Sequence, residues 1–240
     1  MKVAPLPANE AERLKALQEY QLLDTLPEEV YDDITRIATE ITGVPIALLT
    51  LLDSDRQWFK SKQGLEISET PRDYSFCSHA IINPDEMLIV EDARYDERFH
   101  DNPLTTGEPH VVFYAGVPIV DDDDHAFGTL CVIDSRPRNL TDNKQMALKS
   151  LAKLINVHFE LRKTRLELER LHKELQEVSQ KSAVSLPAYS HKAQTLVDTI
   201  LTNVQTLAKA SPRPDQASQL TLLEETVESL KTTLAGNEAS

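Results

Sequence analysis

Residues 111–134 restrict the fold more than any other stretch of the chain. Two apolar segments, 111–120 and 125–134, are rich in β-branched and aromatic side chains and are separated by Asp121, Asp122, Asp123 and Asp124. The pattern predicts two antiparallel strands joined by a solvated turn, because such side chains suit a pleated surface and consecutive carboxylates do not. Nearly every position of both arms is apolar, so each face of this hairpin must be covered, one by core helices and the other by something else. Pro118 has no N–H to give to a ladder, which predicts a bulge or a free edge there. Gly116 and Gly128 would let another group come close to the sheet.

The segments before the hairpin supply partners for it. Asn9 followed by Glu12 has the form of a capping box and predicts a first helix carrying Leu14, Leu17 and Tyr20. Thr25 with Glu28 repeats that signal. Val30, Ile34, Ile37 and Ile41 then mark the apolar face of a second helix, stopped by Gly43 and Pro45. Residues 46–52 read as a central strand, 53–55 as a turn and 56–60 as the returning strand. A polar connection ends at Pro71, a short helix spans 74–82, and 87–90 form a third strand. Residues 91–110 are too long for an ordinary turn and predict a loop with a short helix or a lid.

Residues 141–180 contain neither proline nor glycine and predict a helix on the order of 60 Å long. Leu154, Val157, Leu161, Leu168, Leu171, Leu175 and Val178 occupy heptad a and d positions, with Thr164 as the one polar break. Glu160 with Arg165, and Glu167 with His172, fall at g and the following e, which predicts a parallel two-stranded coiled coil and hence a homodimer. After Pro187, residues 189–210 and 216–234 predict a helical hairpin. Leu196, Ile200, Val204 and Leu207 would face Leu220, Leu223, Val227 and Leu230, and two copies would make a four-helix bundle.

Charge and cysteine content narrow the function. A formal charge of -14 and a pI of about 4.9 repel phosphate backbones and anionic lipid, so neither nucleic acid nor membrane is an expected partner. Two cysteines, Cys77 and Cys131, make no CxxC pair, which argues against a disulfide framework and a structural zinc. No apolar run approaches the ~20 residues of a membrane span, and a cytoplasmic location is expected.

Six segments, in order, resemble the GAF domain of bacterial histidine kinases and diguanylate cyclases: 22–29 (LLDTLPEE), 44–47 (VPIA), 55–60 (DRQWFK), 75–81 (SFCSHAI), 113–119 (FYAGVPI) and 128–134 (GTLCVID). The resemblance runs from about residue 10 to 163. It implies an α+β fold: a six-stranded, mostly antiparallel sheet with helices on one face and a loop-closed cavity on the other. A long coiled-coil helix and an α-helical hairpin would follow. The implied plan is an N-terminal helix in 1–21, a GAF sensory domain in 22–163, a connecting helix in 141–180 overlapping its end, and a C-terminal hairpin in 188–236. That hairpin resembles the dimerisation and phosphotransfer hairpin of histidine kinases. However, the residues after His191 (KAQTL) depart at every position from the acidic residue and Leu-Arg-x-Pro of that family.

Together these readings predict a non-catalytic signalling sensor that binds a small molecule or partner and reports through a dimeric helix. Expected partners are a second copy of the chain through 141–180 and the hairpin, a small-molecule ligand, and a kinase, response regulator or other signalling protein. Trp58, Phe76, Cys77, His79, Asp92, Phe99, Tyr114 and Cys131 form the expected ligand-binding set. Arg94 and Arg98, amid Asp92, Asp96, Glu97 and Asp101, could read an anion or simply form a solvated face. No bilin, haem or metal motif is evident: His79, His100, His110 and His125 have no metal-ligand spacing, and Ser78 separates Cys77 from His79. Two catalytic alternatives stand beside the sensor. One is phosphotransfer at His191. The other is cysteine-dependent redox chemistry at Cys77 and Cys131, which requires the fold to bring the two together.

Overall fold

The computed structural model describes residues 1–181, 186–209 and 214–236, with the side chains of 179–192, 208–216, 218, 219 and 233–236 outside the described set. The chain divides into two units, Met1–Lys163 and Thr164–Ser240. In the first, β1 (Ile46–Leu52), β2 (Arg56–Gln63), β3 (Glu69–Pro71), β4 (Leu88–Val90), β5 (Phe113–Val120) and β6 (Ala126–Asp134) form one sheet of order β3-β2-β1-β6-β5-β4. Every pairing is antiparallel. This is the six-stranded sheet that the resemblance implies. The helices of this unit are α1 (Glu10–Glu19), α2 (Glu29–Thr42), α3 (Phe76–Ala80) and α4 (Pro103–Thr106), and α5 (Asp142–Lys181) begins in it.

Both faces of the central strands are buried, as the unbroken apolar arms require. Ala47, Leu49 and Leu51 of β1, Phe113, Ala115, Val117 and Ile119 of β5, and Leu130 and Val132 of β6 pack with α1, α2 and the start of α5. The alternate positions Ile46, Leu48, Leu52, Tyr114, Cys131 and Ile133 form a second core with α3 and the loops. Alternation along a strand, period two, produces the two cores from one sheet. Pro118 lies beyond Gly116, the last β5 residue paired with β4, where no outer strand needs its N–H.

Several local expectations are corrected. Strand β3 lies inside the connection read as merely polar; its three residues pair with Arg56, Gln57 and Trp58 and carry no apolar signal. Asn9 caps α1 without a side-chain bond to it, and its Nδ2 reaches the Asp124 carbonyl instead at 3.4 Å. Thr25 starts no helix: its hydroxyl donates to the Leu22 carbonyl at 2.7 Å, and α2 begins after Glu28. The buried face of α2 is Tyr31, Ile34, Thr35, Ala38 and Thr42, while Ile37 and Ile41 are each 37% exposed. Small residues let α2 settle close to the sheet, and Thr35 shares a 2.8 Å hydrogen bond with Ser61 of β2. The four-aspartate turn is not uniformly solvated. Asp121 is buried, accepts the Asp123 and His125 N–H groups at 3.0 and 2.8 Å, and pairs with His125 Nδ1 at 3.0 Å.

In the second unit α6 (Leu186–Lys209) and α7 (Pro214–Gly236) form the expected hairpin. Its core is Val197, Ile200, Leu201 and Val204 against Leu220 and Val227, so the seam runs through Val197 and Leu201 rather than Leu196. Pro187 lies in the first turn of α6, where an N–H has no intrahelical acceptor. No helix among the described residues is long and apolar enough to cross a membrane.

Candidate functional site

The sheet face opposite α1, α2 and α5 carries a cavity of about 30 Å³. Strand alternation supplies its floor: Leu48 from β1, Tyr114 from β5, and Cys131 and Ile133 from β6. Strand β2 adds Gln57 and Phe59, and β3 adds Thr70. Helix α3 lays Phe76 and Cys77 across this floor, and Leu104, Pro109 and Val111 from the 91–110 region and its end close it. That region is therefore a wall as well as a loop. Short-range bonds position both helices. Ser75 caps α3 by accepting the Ser78 N–H at 3.1 Å, and Ser78 donates to the Arg72 carbonyl at 3.2 Å. Asn102 caps α4 through the Leu104 N–H at 2.9 Å and donates to the Tyr74 carbonyl at 3.0 Å, tying α4 to the start of α3.

One buried polar cluster lies on this floor. Cys77 Sγ accepts hydrogen bonds from Thr129 Oγ1 at 3.0 Å, Thr50 Oγ1 at 3.3 Å and the Tyr114 hydroxyl at 3.3 Å, and Cys131 Sγ lies 4.0 Å away. Two glycines make the cluster fit. A Cβ at Gly116 would run into the Tyr114 hydroxyl, and one at Gly128 would run into the Thr50 carbonyl. Burial pushes the Cys77 thiol up, but the adjacent Cys131 thiol and the hydroxyls of Thr129, Thr50 and Tyr114 outweigh it and hold Cys77 below the usual thiol range. The bond to Cys77, together with burial, pushes Cys131 the other way. Burial and the nearby Cys77 and Cys131 sulfurs push the Tyr114 hydroxyl up as well.

Two further polar atoms on the wall find no protein partner, Gln57 Oε1 and Thr70 Oγ1, although their residues are only 5% and 9% exposed. A buried acceptor left unpaired costs about 1–3 kcal/mol, so these atoms favour an occupant that donates a hydrogen bond. The cavity exceeds the roughly 10–15 Å³ that one water needs and is far below the roughly 300 Å³ of a drug-sized site.

The other sheet face connects β2 to α5. Lys60 Nζ is fully buried and meets Glu28 Oε1 at 2.6 Å, Thr25 Oγ1 at 2.6 Å and the Leu26 carbonyl at 2.9 Å. The same Glu28 oxygen accepts from Arg162 Nη1 of α5 at 3.0 Å, and Arg162 also holds the Tyr20 and Gln21 carbonyls at 3.0 and 2.9 Å. Lys60 is the extra residue of a bulge: Leu49 pairs with Ser61 and Thr50 with Phe59. The bulge turns Lys60 and Ser61 both toward α2, where Ser61 donates to Asp32 at 2.6 Å.

A model of the GAF domain family matches residues 26–159, more than half of the chain. The chain belongs to the GAF domain family. A cyclic di-GMP phosphodiesterase of Pseudomonas aeruginosa is 40% identical over 156 residues, which are 65% of this chain and 26% of that protein. The chain thus spans about a quarter of that relative's length. Among solved structures, the GAF domain of an Acinetobacter phosphoenolpyruvate-protein phosphotransferase covers 62% of this chain and 92% of its own at 16% identity and TM-score 0.45. The blue-light absorbing GAF domain of PixJ from Thermosynechococcus elongatus covers 68% and 96% at 15% identity and TM-score 0.49. At such identities the likeness concerns the fold alone.

Of the eight residues expected to bind ligand, this GAF cavity gathers Phe76, Cys77, Tyr114 and Cys131. Phe99 stacks on Phe76 at 3.9 Å, one layer back from the wall. His79 packs edge-on against Phe99 at 4.8 Å, and its Nε2 lies 3.0 Å from the Lys2 carbonyl; burial, the largest influence, lowers its pKa. Asp92 caps the 3-10 turn Ala93–Tyr95 and grips Arg94 at 2.8 and 2.6 Å. Trp58 faces away from the cavity into the core beneath the helices, because alternation along β2 puts Gln57 and Phe59 on the cavity side. The same alternation was available in the sequence and would have exchanged Trp58 for its neighbours. Thr50, Thr129 and Thr70 carried no such signal.

Arg94 and Arg98 spend their guanidinium groups on carboxylates two residues earlier, Asp92 and Asp96, rather than on the cavity. The four histidines considered as ligands do not converge. Among the described residues the candidate metal group is Asp121, Asp123 and His125, where Asp121 is already engaged by backbone N–H groups and by the His125 ring. The side chain of His191 lies outside the described residues.

Proposed function

We propose that this GAF domain is a regulatory sensor. An occupant of the cavity biases β2 and α3 between two arrangements, and α5 carries that bias to the helical hairpin of a dimer. One observation carries the reading: β2 presents Gln57 and Phe59 to the cavity and, at the next position, Lys60 to the Glu28–Arg162 link with α5. A shift of β2 toward an occupant therefore changes the Lys60–Glu28–Arg162 contact that reaches the output helix. An occupant bound equally well by both arrangements would transmit nothing.

The dimer is supported by how α5 uses its surface. Leu148, Leu151, Ala152, Ile155 and Phe159 are spent on the sheet. The heptad stripe lies beside that face: Leu154 packs partly on the same core and Leu168 against the hairpin, while Leu161, Leu171 and Val178 stay partly exposed and Leu175 is 39% exposed. The most economical cover for such a stripe is its own copy. A kinase, response regulator or other signalling protein would then read the paired hairpins.

The named activity of the Pseudomonas relative does not come over with the match. The portion in common, about a quarter of that relative's length, is best read as a shared regulatory module. Sedimentation equilibrium of the full chain tests the reading. The wild type is expected to be a dimer at micromolar concentration, and Leu171→Glu with Leu175→Glu a monomer whose GAF unit melts unchanged. A monomeric wild type would remove the proposal. Turnover of cyclic di-GMP by the purified chain would replace it with an enzymatic one.

A further inference from the structure

We infer that Cys77 and Cys131 are a peroxide-responsive thiol pair, Cys77 being the attacking sulfur that is oxidised first and Cys131 the one that resolves it into a disulfide. The inference names an input for the sensor proposed above and rests on that reading only for its output. The pair itself stands on four features of the cavity.

First, the two sulfurs are 4.0 Å apart, in non-bonded contact, and both line the cavity. A disulfide needs about 2.05 Å, so one sulfur must move by about 2 Å. Cys77 is the one free to do so. It sits on a five-residue helix held by caps, whereas Cys131 is in the middle of a strand paired on both sides. Second, three buried hydroxyls, Thr50, Thr129 and Tyr114, converge on Cys77 Sγ, whereas Thr129 is the one hydroxyl among them that also influences Cys131. A neutral thiol is a weak acceptor and does not need three donors; a thiolate does. Third, the volume suits a molecule slightly larger than water and excludes most metabolites. Fourth, Gln57 Oε1 and Thr70 Oγ1 are unpaired acceptors on the same wall, matched to the O–H of a hydroperoxide. Leu65 and the exposed Ile67 at the rim put this wall next to solvent.

The chemistry balances with a hydroperoxide as the only oxidant. Cys77 thiolate attacks one peroxide oxygen; an S–O bond forms, the O–O bond breaks, and the departing oxygen leaves as water or alcohol with the proton lost by Cys77. Cys131 then attacks the Cys77 sulfenic acid; the S–S bond forms, the S–O bond breaks, and water leaves with the Cys131 proton. Two thiols lose two electrons and the hydroperoxide gains them. The bond draws α3, and with it Phe76, toward β6, and it takes from the three hydroxyls their charged acceptor. Oxidation thus reshapes the cavity wall.

The test uses the full chain, reduced and then treated with hydrogen peroxide, followed by intact-mass and peptide mass spectrometry. The expected product has lost two hydrogens, yields a peptide linking Cys77 to Cys131, and returns to the starting mass with a dithiol reductant. Cys131→Ser should stop at one added oxygen on Cys77, and Cys77→Ser should leave Cys131 unoxidised. Thr129→Val, which keeps both thiols and the shape, should slow the loss of the Cys77 thiol about tenfold by removing the shortest donor. Thiols inert to peroxide in the native chain but reactive in urea would overturn the inference and leave both as packing residues. So would oxidation with no 77–131 linkage, or an unchanged rate in Thr129→Val. Sedimentation of the oxidised and reduced forms separates the two proposals: a linkage in a monomeric protein keeps the thiol pair and removes the dimeric sensor.

Discussion

Replacing Glu28 by glutamine tests the link between β2 and α5. Lys60 Nζ has no solvent exposure, and its three protons meet three acceptors, of which only Glu28 carries charge. Removing one partner of an enclosed ion pair costs about 3–5 kcal/mol, since the remaining charge is left uncompensated. Glu28 is 38% exposed, so water screens part of that loss, and the amide oxygen of the new side chain keeps one hydrogen bond. The expected cost is therefore about 2 kcal/mol, a fall of roughly 1 M in the urea midpoint. Lys60→Met should cost less, about 1 kcal/mol, because the Tyr31 and Trp58 rings at 5.4 and 6.0 Å from Nζ already form an apolar sleeve. In the double variant the amide at position 28 no longer faces a stranded ammonium, so the two losses should fall short of their sum by about 1–2 kcal/mol. Urea unfolding of the four proteins, followed by the single Trp58, measures the cycle. Additivity within about 0.5 kcal/mol would refute the coupling and, with it, the route from cavity to helix.

Other consequences are as direct. Burial raises Glu10, but the bonds from Arg13 and Arg72 overcome it and hold its carboxyl at about 2, against 4.5 for an ordinary Glu. A depressed folded pKa gives stability that is complete above about 4.5 and lost as pH falls toward 2. Glu10→Gln should therefore flatten the acid limb of the stability curve in that window, as read by thermal melts from about pH 2 to about pH 6. Gly116→Ala should cost about 1–3 kcal/mol by driving the Tyr114 ring from the cysteine cluster, and Tyr114→Phe in the same chain should recover part of it, measured by urea midpoint. Phe159→Ala should cost about 3–5 kcal/mol, because the ring is 1% exposed and packs edge-on against Tyr31 at 5.7 Å. If the melting temperature barely moves, α5 is not anchored to the sheet as described.

Much of the fold was legible because burial leaves periodic traces. Unbroken apolar arms at 111–120 and 125–134 read as strands covered on both faces, and the Pro- and Gly-free run at 141–180 reads as one long helix; both are present. Where the trace was faint, other forces decided. Strand β3 is held by ladder bonds to β2 and has no apolar period, and α2 turned its small residues inward because closeness to β1 and β2 outweighed the burial of Ile37 and Ile41.

The sequence alone determined the family, the sheet with its two covered faces, and the presence of two cysteines, since each is written in local pattern or residue type. Only the tertiary structure decided that those cysteines, 54 positions apart, lie in contact and that three hydroxyls from β1, β5 and β6 converge on Cys77. It also decided that Trp58 faces the helices while Gln57 faces the cavity. The physical reason is the same in each case. Strand pairing sets neighbours by register across the sheet, and register depends on the whole packed molecule rather than on any one segment.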